Sequence, residues 1–133
     1  MERESILDGI QRRATFDSRW EAERAVLATL RTLGEYVSEK QVDKLATRLP
    51  PQFGDALTER SGRSPRSYSV DGFVVRVAQR EGHDVSTTEA LVHVRATLAT
   101  LADLDLQVEL AEVRKQLPEE FETLFGTQGL RAE

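Results

Sequence analysis

The stretch ATLRTL at residues 28–33 recurs as ATLATL at residues 96–101, which lies 68 positions further along the chain. Blocks on both sides of this stretch recur at the same shift without a gap. A spacing that persists over most of a chain indicates two tandem copies of one structural unit. The identical pairs are Ser18/Ser86, Glu21/Glu89, Ala22/Ala90, Val26/Val94, Leu49/Leu117, Pro50/Pro118 and Phe53/Phe121, and apolar character persists at Ile6/Val74, Leu7/Val75 and Ile10/Ala78.

Each copy predicts four helices, of which the first spans residues 3–14 or 70–81. In the second copy, Val70, Phe73 and Val77 follow the spacing that places apolar side chains on one helix face. The second helix begins at a capping box in each copy, because Ser18 and Ser86 each stand three residues before a glutamate. The side chains that this helix is expected to bury are Ala22, Val26, Thr29, Leu30 and Leu33 in the first copy and Ala90, Val94, Thr97, Leu98 and Leu101 in the second.

The third and fourth helices are shorter. A further capping box, from Ser38 to Gln41, predicts the start of the third helix in the first copy, whereas Leu106 replaces the serine in the second. The fourth helix begins with proline, which costs little in a first turn because its N–H would have no partner there. The side chains expected to be buried by these helices are Val42, Leu45, Leu49, Phe53, Leu57, Phe121 and Phe125.

These patterns divide the chain into residues 1–58 as the first unit, a basic linker rich in glycine, serine and proline at 59–69, a second unit at 70–126 and a flexible tail at 127–133. A unit of roughly 60 residues is marginally stable alone, so the two units are expected to share a core. The fold class predicted is therefore all-α: two tandem copies of a four-helix unit packed as a pseudo-twofold helical bundle, and one compact domain overall. The first and second helices are expected to pack across the axis.

Composition limits the classes of function. The chain of 133 residues has no cysteine, a formal net charge of −5 and no apolar run near the ~20 residues of a membrane span. Disulfides and thiolate metal sites are thus excluded, and a cytoplasmic protein without a membrane partner is expected. Residues 70–133 hold six basic and twelve acidic side chains. This excess disfavours a duplex DNA-binding surface over the whole molecule.

The ordered motifs S-x-x-E-A (18–22 and 86–90), A-T-L-x-x-L (28–33 and 96–101) and L-P-x-x-F (49–53 and 117–121) resemble a bacterial and archaeal family, domain of unknown function 2267. The likeness extends from about residue 6 to residue 125. The resemblance implies an all-α fold and brings no established activity. It supplies no catalytic residues to transfer to this chain.

Residues suited to catalysis are sparse. His83 and His93 are the two histidines, and His93 shares a helix face with Glu89, four residues earlier. A catalytic zinc usually has three protein ligands, so we expect no metal site here and a surface or edge position for His93. The acidic pairs Asp103/Asp105, Glu109/Glu112 and Glu119/Glu120 are interpreted as solvated helix faces. No enzyme activity and no cofactor are expected.

The two copies differ most in the charges of their third helices. Lys40, Lys44 and Arg48 form a basic stripe at i, i+4 and i+8, and the equivalent residues of the second copy are Val108, Glu112 and Gln116. One interpretation is two solvated faces. The other is a charge-complementary partner contact, including salt-sensitive self-association of unit one with unit two.

Trp20 is the single tryptophan, and Thr88 replaces it in the other copy. The indole either packs against the start of the second helix or stands exposed as an interface anchor. The candidate interaction surface therefore comprises Trp20, Lys40, Lys44, Arg48, Arg60, Arg63 and Arg66.

The leading functional hypothesis is a non-enzymatic interaction or adaptor module whose partner is a protein of unknown identity or a second copy of the chain. The alternative is a nucleic-acid-binding protein that uses the basic linker and the third helix of unit one. A third hypothesis is a small-molecule binder or enzyme in the groove between the units. It requires a pocket of roughly 300 Å³ or more with convergent polar groups.

Overall fold

The computed structural model describes residues 2–65 and 67–125, and its regular structure is entirely helical within those ranges. Eight α-helices follow one another there, with a kinked segment (Ala102–Leu106) and a 3₁₀ turn (Glu119–Phe121) in the second half. The all-helical prediction is confirmed. The helices are α1 (Arg3–Ala14), α2 (Arg19–Tyr36), α3 (Glu39–Ala46), α4 (Pro51–Thr58), α5 (Val70–Glu81), α6 (Thr87–Leu101), α7 (Gln107–Lys115) and α8 (Glu122–Phe125).

Both long helices start at the capping boxes that the sequence predicts. The Ser18 hydroxyl accepts a hydrogen bond from the Glu21 N–H (3.3 Å), and the Glu21 carboxylate accepts one from the Ser18 N–H (3.3 Å). The same reciprocal pair joins Ser86 and Glu89. These bonds satisfy N–H groups that have no partner inside the helix.

The box predicted for α3 forms only in part. The Ser38 hydroxyl accepts from the Gln41 N–H (3.2 Å), but the Ser38 N–H donates to the side chain of Gln116 (2.9 Å) and not to Gln41. In the second half, where Leu106 replaces the serine, the backbone kinks between α6 and α7: Leu104 and Asp105 leave helical geometry, and Asp105 adopts a positive φ of 80°. A missing cap thus changes the connection between these helices.

The core is one continuous cluster that draws on both halves of the chain. Every side chain that the sequence assigned to the inner faces of α2 and α6 is at most 2% exposed. The cluster also contains the aromatic residues Phe53, Phe73 and Phe121, each no more than 1% exposed. Because neither half encloses a separate cluster, the two halves depend on each other for burial of apolar area.

The helices contact each other reciprocally. The first helix of each half packs on the second helix of the other, α1 on α6 and α5 on α2, and α2 also packs on α6. The most extensive packing joins α2 to α4. There Gly34 allows close approach, since a Cβ at this position would overlap the carbonyl oxygen of Leu57.

The first helices match at a shift of 67, which corrects the uniform shift of 68. Helix α1 begins at Arg3 and α5 at Val70. Val75, the expected counterpart of buried Leu7, is 41% exposed. The buried pairs at the corrected shift are Ile6/Phe73, Leu7/Val74 and Ile10/Val77. The shift changes from 67 to 68 in the connection before the second helix. This connection has four residues (15–18) in the first half and five (82–86) in the second.

Replacing Leu30 or Leu98 with aspartate tests this core. Both leucines are at most 2% exposed, so each change buries an unpaired carboxylate. We expect each to lower the free energy of unfolding by about 4 kcal/mol or more, measured by urea denaturation. Val108→Asp is the control, because Val108 is 69% exposed; it should change stability by no more than about 0.5 kcal/mol. Equal effects at the three positions would contradict the assigned helix faces.

Candidate functional site

The basic stripe of α3 contacts the acidic face of α7 within the chain. The Lys44 ammonium lies 3.0 Å from the Glu112 carboxylate, and the Arg48 guanidinium lies 2.5 Å from Glu109 and 3.4 Å from Asp105. The hydrogen bond from Lys44 also lowers the pKa of Glu112. The side chains of Lys44, Glu112 and Arg48 are still 40–52% exposed, so the two faces are solvated and also contact each other. Their charges complement each other internally, while Lys40 remains exposed.

Trp20 projects into solvent at the start of α2 and is 56% exposed. The guanidinium carbon of Arg24 stacks over its ring at 4.4 Å, and the ring of His83 meets it edge-on at 5.2 Å. The indole is thus held by one cation and one neighbouring ring, with much of its surface open. Large exposed aromatic side chains of this kind are enriched in interface hot spots.

Arg24 is unusual because two of its donors are buried without an acceptor. Its Nε and Nη1 atoms are inaccessible to solvent, and no acceptor lies within hydrogen-bond distance among residues 2–65 and 67–125. A buried donor without an acceptor costs about 1–3 kcal/mol, and more when the group is charged. The stack on Trp20 offsets part of that cost.

His93 is buried and forms a pair with a glutamate that the sequence analysis overlooked. Its Nδ1 lies 2.8 and 2.9 Å from the two carboxylate oxygens of Glu81, which is 2% exposed. Of the two positions expected for His93, the surface is therefore wrong; the imidazole packs at the edge of a cleft, and Glu89 caps α6. The ring of Phe16 covers the imidazole with centroids 4.6 Å apart. Among the described residues, no group of three or more potential ligands could hold a metal ion.

Arg24, His83 and His93 line a cleft of about 410 Å³ between the two halves, which we call the tryptophan cleft. Trp20 is not part of the lining, but its indole contacts two residues that are, Arg24 and His83. The wall combines apolar surface from Phe16 and from Val92, which is 46% exposed, with an acidic rim. Two pairs of sequence-equivalent residues from α2 and α6 line this cleft: Glu21 with Glu89, and Arg24 with Val92. The members that matter chemically are Phe16, Glu21, Arg24, His83, Asp84, Glu89, Val92 and His93.

A second cluster joins the end of α2 to the linker and to α5. The Glu35 carboxylate accepts hydrogen bonds from Arg60 (2.5 Å) and from Arg80 (3.0 Å). Burial alone would raise the pKa of Glu35, but the hydrogen bonds from Arg80 and Arg60 outweigh it and hold that pKa below its ordinary value. Arg80 also donates to the Thr32 hydroxyl (3.0 Å). Arg60 is therefore part of a fixed ion-pair network.

This network borders a cavity of about 530 Å³, which we call the arginine cavity. Its polar lining comes from Glu35, Tyr36, Arg60, Ser67, Arg76 and Gln79, and Pro65 and Val75 supply apolar surface. Arg63 is exposed nearby in the linker. Arg66 and the predicted tail at 127–133 lie outside the described residues.

Most of this chemistry carries no motif in the sequence. Glu35 lies about 40 positions before Arg76 and Arg80 in the sequence. These residues come together only because α5 packs on α2. Glu81 and His93 lie on successive helices and approach each other through the turn between them. The one sequence feature that pointed to either cluster was the set of arginines in the linker. No helix among the described residues is both long and apolar enough to span a membrane.

Glu35→Gln tests the ion-pair network through pH. Since the folded-state pKa of Glu35 lies below the ordinary value of 4.5, its stabilisation is complete above that pH and is lost as the pH falls through the folded-state pKa. We expect the variant to lose about 1–3 kcal/mol of unfolding free energy at neutral pH. The difference from wild type should shrink as the pH falls below 4.5, measured by urea denaturation. Glu2→Gln, at an exposed position without a side-chain cap bond, is the control. A difference that does not vary with pH would contradict a charged role for Glu35.

Comparison with known proteins agrees with the resemblance noted in the sequence. The sequence profile of the family described as "Uncharacterized conserved protein (DUF2267)" matches residues 3–124. No curated protein matches the chain. Because the profile covers nearly the whole chain, including both long helices and both clusters described above, this protein belongs to the DUF2267 family.

Proposed function

We propose that the chain consists of two copies of one four-helix unit, residues 1–58 and 70–126, packed about a pseudo-twofold axis, and that the protein is a non-enzymatic binding module. The reciprocal packing of α1 on α6 and α5 on α2 supports the duplication. So does the ion pair between Lys44 and Glu112, which occupy equivalent positions 68 residues apart. Equivalent residues touch each other only next to a twofold axis. The cytoplasmic location stays a prediction from the sequence.

The observation that carries the binding proposal is the exposure of Trp20 beside Arg24. The chain has one tryptophan, and the indole is 56% exposed where it packs on Arg24 and His83, two residues that line the tryptophan cleft. Thr88 occupies the equivalent position of the other copy, so the four-helix unit does not require an indole there. A costly exposed aromatic that the fold does not need favours a role in recognition.

The cleft suits a segment of a protein partner. An apolar side chain of the partner can pack against Trp20, Phe16 and Val92, next to Arg24, which lines the cleft and stacks on the indole. The rim carries Glu21, Asp84 and Glu89, so a lysine or arginine beside the apolar residue adds a complementary charge. The partner we propose is therefore a segment that combines an apolar side chain with a basic one.

The other candidates have less support. Nucleic-acid binding through α3 would need Lys44 and Arg48, but both contact α7 within the chain. The same contacts leave little of the basic stripe for salt-sensitive self-association. The acidic rim also disfavours a phosphate backbone in the tryptophan cleft.

A random peptide library displayed on phage tests the proposal when it is selected on the purified wild-type chain. We expect enriched peptides to combine a large apolar residue with lysine or arginine. A synthetic peptide of that kind should move the emission of Trp20, the only indole present, to shorter wavelength. Trp20→Ala and Arg24→Gln should each weaken its binding by about 30-fold or more, the size typical of a hot spot.

The matched control is Tyr68→Ala, because Tyr68 is also an exposed aromatic residue (51%), but its ring packs on Tyr36 of the arginine cavity. It should leave peptide affinity unchanged. Enriched peptides that are acidic, or that bind Trp20→Ala as tightly as wild type, would show that the tryptophan cleft is not the recognition surface.

A further inference from the structure

We propose a second, independent site: the arginine cavity binds the phosphoryl group of a small molecule, held by Arg60 and Arg76. The cavity lies between the end of α2, the linker and α5, and the tryptophan cleft shares none of its lining residues. Its volume of about 530 Å³ falls in the range of small-molecule sites. A phosphate ion alone fills a small part of that space, so the ligand carries an organic body as well.

The charge of the cavity matches a phosphomonoester. Arg60 and Arg76 line it, and Arg80 stands behind Glu35, the one carboxylate among the described lining residues. Three arginines against one glutamate leave two positive charges. A phosphomonoester carries a charge of about −1.5 to −2 at neutral pH, whereas a carboxylate carries a single negative charge.

Donors remain available on both arginines that line the cavity. Arg60 uses its Nε atom to bind Glu35, and its two terminal nitrogens have no acceptor among residues 2–65 and 67–125. Arg76 donates from one terminal nitrogen to the Gln79 side chain at 3.2 Å. Guanidinium groups bind phosphate oxygens through paired N–H donors. Pro65 and Val75, which is 41% exposed, give the organic body of the ligand an apolar surface.

The walls of the cavity are held in place by their own hydrogen bonds. The Tyr36 hydroxyl donates to the carbonyl oxygen of Ser67 (2.9 Å), which ties the linker to α2. Burial raises the pKa of Tyr36, so this hydroxyl keeps its proton. Glu35 fixes Arg60 on one side and Arg80 on the other. A site with fixed donors loses little conformational entropy when it binds.

The fold itself does not require this set of charges. At the shift of 67, the residue of α1 that corresponds to Arg76 is Gly9, which packs against Thr100. The residue that corresponds to Val75 is Asp8. The other half therefore has a packed or acidic surface where the arginine cavity has a cation and an apolar wall.

Isothermal titration calorimetry at constant ionic strength tests the proposal with three probes: inorganic phosphate, ribose 5-phosphate and adenosine monophosphate. Each organic probe is compared with its parent, ribose or adenosine. We expect saturable binding of the phosphorylated probes and none of the parents. Arg76→Gln and Arg60→Gln should each weaken binding by about 10- to 100-fold, as expected for loss of a charged hydrogen bond.

Two controls separate this site from general charge effects and from the tryptophan cleft. Arg12→Gln removes the same charge from an exposed position on α1, and Trp20→Ala alters the cleft; both should bind the probes as wild type does. The proposal is overturned if none of the three phosphorylated probes binds saturably, or if Arg76→Gln binds them as tightly as Arg12→Gln.

Discussion

The mutual packing of α2 and α6, each covered by the first helix of the opposite half, is the contact on which the remaining structure depends. Both helices bring small residues and threonines into the core, and Thr32, Thr97 and Thr100 hydrogen-bond the carbonyls of their own helices at 2.7–2.9 Å. Because those three hydroxyls are satisfied within their own helices, they can be buried where the helices meet. Arg13 and Arg80 then reach from the covering helices to Thr100 and Thr32. Both ends of this contact are thus fixed by hydrogen bonds as well as by apolar burial.

The sequence predicts the elements of this arrangement but only part of its register. Serine and glutamate three residues apart are a strong local signal, and the inner faces of α2 and α6 are correct residue by residue. The sequence does not reveal that the first helices align at a shift of 67 and not 68, because both alignments pair apolar residues. Ile6 and Leu7 are adjacent, and so are Val74 and Val75. Only burial separates them, since Val75 is exposed and Val74 is not. Periodicity cannot resolve a slip between two neighbouring apolar residues.

The charged contacts were less predictable, for a different physical reason. A charge on a helix face has the same pattern whether it meets solvent or a complementary helix, so the pairing of Arg48 with Glu109 required the tertiary arrangement. The buried pair of Glu81 and His93 is harder still to predict. Ala14 and Ala25 occupy the equivalent positions in the first half and need no partner, so internal comparison gives no warning of a buried hydrogen-bonded pair there. Such a pair forms only when side chains from two helices meet inside the core, and no local pattern encodes that meeting.

If the halves are copies, as we propose, they have kept the residues that build the core and have diverged where the molecule meets other molecules. The residue equivalent to Trp20 in the other half is Thr88, the one equivalent to Arg24 is Val92, and the one equivalent to Arg76 is Gly9. Each of these exchanges alters charge or aromatic surface, while the buried leucines of α2 and α6 stay unchanged. A symmetric scaffold needs the same surface on both sides only when its ligand is symmetric. A surface that is present on only one half of the chain is therefore suited to a ligand without twofold symmetry. One such ligand would bind per chain.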